Sequence, residues 1–218
     1  MKKTNIQTLG EEIANAVSHG LMAIFGIVAL ILLLLKSDTG IKITASIIFG
    51  FGMINLYTMS TLYHALFHKT AKSVFQRFDH LSIYILIGGT FAPQLLLLPA
   101  LQVPLFGIDG LGLGPVLFIV QWILIAIGVI FKSVWIKKFA KLHLFIYLAM
   151  GWSGLIFINQ LLAFDPRAFW LVLAGGIAYS IGVAFYVFPK IKYFHFVWHI
   201  FTSIGTILHF IAIYAFLY

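Results

Sequence analysis

Histidine is the residue type here best suited to chemistry. The chain has eight histidines, six carboxylates and no cysteine. Disulfides and thiolate metal sites are therefore excluded, and any metal site must use His, Asp, Glu or other oxygen donors. His195 and His199 form an H-x-x-x-H pair. On a helix such residues lie about 6 Å apart along the axis and face nearly the same way, so both rings can grip one ion. The alternative is two interfacial histidines. No H-E-x-x-H arrangement is present, so the zincin mechanism does not transfer. Ser60 and His64 show the same spacing on another apolar segment. Ser60 can equally bond a carbonyl of its own helix. Asp79 stands beside the start of a third segment, where it fits both a helix N-cap and a place beside the histidines. His64, His195 and His199 could complete one site. Zinc suits three neutral imidazoles with water in the fourth position, and lowers the pKa of that water toward about 7. Asp79 would offset the ion's charge and orient the water, and Ser60 could donate to the water or to an oxyanion.

The elements that must carry these groups are membrane spans. The 218 residues are 62% hydrophobic and only 9% charged, with a mean hydropathy of +1.06. Soluble domains carry roughly 25% charged residues. A soluble α/β enzyme, a disordered chain and a nucleic-acid-binding domain are excluded; the net charge of +8 sits in short loops between apolar stretches. Seven apolar runs, at roughly 16–35, 43–66, 80–98, 114–131, 142–162, 168–188 and 195–217, are long enough to cross a bilayer as helices. They predict an all-α, polytopic membrane protein, a single seven-helix transmembrane domain over 1–218. The first run reads as a span and not a cleaved leader. No internal repeat is evident, which weakens an inverted-repeat transporter reading.

Lysine and arginine placement predicts orientation. The N-terminal segment and even-numbered loops hold 11 (Lys2, Lys3, Lys69, Lys72, Arg77, Lys132, Lys137, Lys138, Lys141, Lys190 and Lys192) against 3 in the odd-numbered loops (Lys36, Lys42 and Arg167). The N-terminus is expected in the cytoplasm and Tyr218 outside. Seven of the eight histidines then fall near cytoplasmic span ends. His209 lies about 15 Å along the helix from His199, too far to share an ion, and is expected to make an interhelical hydrogen bond. A haem is disfavoured, because His195 and His199 on one helix face cannot be opposite axial ligands.

Three motifs resemble a known family. They are Glu12-Ile-Ala-Asn15-Ala-Val-Ser18-His19, Ser60-Thr-Leu-Tyr-His64 followed by Asp79, and His195-Phe-Val-Trp-His199. With seven spans, they make the chain similar to the haemolysin III branch of the progestin and adipoQ receptor family. The resemblance implies a seven-helix bundle with a zinc ion near the cytoplasmic side, His64, His195 and His199 as ligands, and Asp79 and Ser60 as polar partners. The wider superfamily includes alkaline ceramidases, which implies zinc-dependent hydrolysis of lipid amide or ester bonds. The bacterial branch implies the cytoplasmic membrane and a part in membrane-lipid homeostasis. Departures limit this: the receptor branch has a longer N-terminal region, and His80 follows Asp79 where that branch usually has Tyr. Hormone signalling is not carried over, and Glu12, Asn15 and His19 receive no chemical role. Three functions follow as expectations: a zinc hydrolase taking membrane lipid as substrate, a non-catalytic sensor of membrane state with structural zinc, and a membrane-permeabilising haemolysin.

Overall fold

A computed structural model describes residues 7–135, 139–188 and 190–218. The topology residues Lys2, Lys3, Lys137 and Lys138 lie outside them. Helices are α1 (Leu9–Lys36), α2 (Gly40–Ala65), α3 (Lys69–Leu97), α4 (Leu113–Val134), α5 (Ala140–Gly151), α6 (Ile158–Phe164), α7 (Pro166–Tyr186) and α8 (Phe194–Phe216). A 3-10 stretch, Trp152–Phe157, joins α5 to α6, so that the two form one interrupted span. Seven spans are thus long and apolar enough to cross a membrane, and the described residues contain no strand.

Two helices start well before their apolar runs, by seven and eleven residues, where the others differ by three or fewer. Thr8 and Glu11 form a capping box that begins α1 at Leu9. Polar Lys69–Phe78 is also helical, because His68 caps α3 and accepts from the Ala71 N–H. Asp79 is therefore inside α3, not at its start, and the N-cap expected of it is corrected.

The core lies among α1, α2, α3 and α8. Met22, Phe49, Met53, Leu56, Tyr57, Leu86, Phe210 and Ile213 pack there as one cluster. Gly52 and Gly89 let α2 and α3 come close: a Cβ at Gly89 would stand 3.0 Å from the Ile48 carbonyl oxygen. Small residues serve α7 and α8 likewise, since a Cβ at Gly182 would meet the Trp198 ring at 2.8 Å. Pro93 sits within α3, where its ring leaves one backbone acceptor without an N–H. Close helix packing makes such an irregularity tolerable in a membrane.

Candidate metal centre

Four helices bring polar side chains to one end of the bundle. α2 contributes Ser60 and His64 from its last turns, and α8 contributes His195 and His199 from its first. α3 contributes Asp79. α1 contributes Glu12, Asn15 and His19, whose spacings of three and four residues put them on one face.

Ligand atoms of His64, His195 and His199 all lie within 4.8 Å of one another. Nε2 of His195 and Nε2 of His199 are 3.2 Å apart. Two nitrogens bound tetrahedrally at 2.0–2.1 Å are separated by about 3.3 Å, so this pair already has ligand spacing.

Hydrogen bonds on the far side of two rings determine their tautomers. His64 Nδ1 lies 2.7 Å from Glu12 Oε2 and donates to it. His64 Nε2 is left buried with no protein partner. His199 Nδ1 lies 3.3 Å from the Asn15 carbonyl oxygen, which can only accept. His199 Nε2 is then a lone pair aimed toward His195. Such outer bonds fix ring orientation and raise ligand basicity. The donor set and the orphaned Nε2 of His64 fit a divalent cation.

Glu12 also accepts from Lys72 Nζ at 3.0 Å, and Lys72 in turn donates to the Tyr63 carbonyl. A topology lysine thus also steadies the carboxylate. Glu11 performs a different task. One of its oxygens closes the capping box and the other accepts from the Tyr193 N–H at 2.8 Å. Tyr193 has a left-handed φ of 62°, which is uncommon for a bulky residue, and it immediately precedes α8. Glu11 holds that turn and so aims the H-x-x-x-H pair.

His19 stacks flat on His199, with ring centroids 3.4 Å apart, and meets the Tyr57 edge. Both of its nitrogens are buried without partners. His209 departs from expectation. Its Nδ1 donates to the Gly205 carbonyl of its own helix at 2.8 Å, and it packs against Gly175 and Tyr179 without an interhelical bond.

Beside the histidines lies a cavity of about 110 Å³. Ser60, Asp79, His195 and His199 line one end, while Phe91, Trp152 and His209 line it elsewhere. Ser60 Oγ is buried and unpartnered. The carbonyl bond considered for Ser60 is absent, so its hydroxyl is available to a guest.

Together these features define a polytopic helical membrane protein with a three-imidazole centre that can hold a metal at one end of its bundle. The chain belongs to the Haemolysin-III related family, which it matches over residues 7–210. It is 38% identical over 210 residues to "Hemolysin-3 homolog" of Bacillus subtilis (strain 168), covering 94% of each chain. It is 36% identical over 211 residues to "Hemolysin-3" of Bacillus cereus, covering 95% of this chain and 92% of the relative. "Monocyte to macrophage differentiation factor" of Homo sapiens is 30% identical over 221 residues, with 97% and 86% covered. No solved structure matches the chain.

Proposed function

We propose that this protein is a zinc-dependent hydrolase of a lipid amide or ester bond, built as one seven-helix unit in a bacterial plasma membrane. The Lys/Arg distribution supports a cytoplasmic position for the histidine end. The carrying observation is that three imidazoles converge beside a cavity that also receives a free serine hydroxyl and an aspartate. His64, His195 and His199 would hold the ion, and bound zinc supplies Lewis acidity and a water acidified toward neutrality. Asp79 would orient the attacking water, take its proton and return it to the nitrogen or oxygen that leaves as the acyl C–N or C–O bond breaks. Ser60 donates a hydrogen bond to the oxygen that gains charge as the carbonyl is attacked, a contribution that grows where water is excluded. The apolar cavity wall receives the acyl chain. Purified protein incubated with ceramide and with phospholipid should release free fatty acid. Ser60→Ala and Asp79→Asn should abolish release while leaving bound zinc near wild type. Equal turnover in the His199→Ala variant would refute the reading.

A second reading is a structural clamp without catalysis. It draws on Glu12 and Asn15, which join α1 to the ligand rings of α2 and α8. It predicts that zinc raises the thermal midpoint while no acyl lipid is consumed.

A further inference from the structure

A second cavity, of about 220 Å³, lies between α3, α4 and the Trp152–Phe157 stretch. Among the described residues only Phe91 also lines the cavity beside the histidines, so the two cavities adjoin at one aromatic side chain. Its walls are apolar except for Ser153, whose hydroxyl is committed to the Met150 carbonyl, and Gln121. Gln121 is 6% exposed, and both its Nε2 and its Oε1 are buried without a partner. It is the single amide side chain of α4, and the neighbouring Trp122 indole N–H, also buried without a partner, is not among the residues lining this cavity. It sits eight residues past Leu113, hence about 12 Å along the helix and well inside the apolar zone. A primary amide so placed needs a partner for its donor and its acceptor.

The rim supplies a route. Val120, Leu124 and Ile156 line the cavity and are themselves exposed on the outer surface of the bundle. In a membrane that surface meets acyl chains, so the cavity opens sideways to lipid. The adjoining 3-10 stretch leaves the wall irregular at the same level.

We propose that this crevice binds a long-chain carboxylic acid in its uncharged form, from the surrounding bilayer. A protonated carboxyl group places a donor beside an acceptor. Its O–H donates to Gln121 Oε1, while its carbonyl accepts from Gln121 Nε2, so both orphaned atoms are paired at once. A hydroxyl can satisfy only one of them at a time in this geometry, and an ester has no donor. Low-dielectric surroundings favour the neutral acid over the carboxylate. The alkyl chain then fills the apolar remainder between Leu95, Leu117 and Phe157. This site is independent of the metal centre.

Photolabelling tests it. Full-length protein in phosphatidylcholine nanodiscs is irradiated with palmitic acid carrying a diazirine near its methyl end, and adducts are mapped by mass spectrometry. Adducts should fall on α4 and on the Trp152–Phe157 stretch. Palmitic acid and palmitamide should compete, and methyl palmitate should compete at least tenfold less well. Raising the pH should weaken competition by the acid but not by the amide. Gln121→Leu should reduce labelling at least tenfold, and Leu124→Trp, which fills the mouth and leaves the amide intact, should do the same. His199→Ala should label like wild type, which separates this outcome from any failure of the hydrolase. Equal competition by methyl palmitate, or undiminished labelling of Gln121→Leu, would overturn the proposal in favour of an unselective acyl groove. Absence of adducts at these positions would overturn it in favour of water on the amide.

Discussion

The helices around the histidines and those on the opposite flank are both strongly apolar, yet they are packed very differently. In α3, 61% of the most apolar window is buried inside the bundle, against 22% in α4 and 17% in the interrupted fifth span. The buried half holds nearly all the intramembrane chemistry: Asn15, His19, Ser60, His64, Asp79 and His199. The loose flank is largely hydrocarbon and buries fewer polar side chains, Gln121, Lys132 and His143. Polar groups are costly in a membrane and persist where neighbouring helices pair or shield them, so tight packing and the histidine cluster coincide. The loose half instead meets lipid over most of its surface.

That contrast can be broken most directly at the three converging histidines. His64→Ala should reduce bound metal to under a tenth of the wild-type ratio, measured by elemental analysis of purified protein, while helical circular dichroism is preserved. Next, Glu12→Gln removes the carboxylate that holds His64 Nδ1. Metal affinity should fall about 10–100-fold, read by competition with a chromogenic chelator. An unchanged affinity would show that the Glu12 bond is incidental.

Packing gives a paired test of the two halves. Gly89→Ala forces a methyl group toward the α2 backbone and should cost about 1–3 kcal/mol in thermal or denaturant unfolding. Gly151→Ala has open space around its new methyl, and should be neutral or stabilising by up to about 1 kcal/mol. Similar losses at both positions would erase the distinction drawn here. The smallest effect is expected outside the spans, at Asp165. Its bond with the Arg167 side chain lowers its pKa to about 2. Its folded pKa lies below the usual value near 3.9, so its contribution is complete above pH 4 and disappears as pH falls through about 2. Asp165→Asn should therefore lower the thermal midpoint slightly at pH 6, with the difference from wild type vanishing near pH 2.

Much of this was legible from local spacing. The i,i+4 pairs His195/His199 and Ser60/His64 needed only helix geometry, and runs of apolar residues marked the spans. What escaped was either polar helix or distant partnership. Lys69–Phe78 carries charge, so an apolar-run reading stops at His80 although the helix starts eleven residues earlier. Glu12 and His64 are 52 positions apart, and Asn15 and His199 are 184 apart. The first motif showed a common face, but nothing in α1 alone reveals which rings that face will meet. The interruption of the fifth span did leave a trace, in Gly151-Trp152-Ser153-Gly154, whose glycines weaken the helix at that point.

The clasp between Glu11 and the turn at Tyr193 spans 182 positions of chain. A ribosome therefore delivers its first half early and its second half almost last. Until the final hydrophobic rod leaves the insertion machinery, His64 has neither companion ring to share a cation with. Any cation shared by these three rings would therefore be taken up only as a finishing step of biogenesis, and a nascent protein truncated before Phe194 would lack two of the three imidazoles.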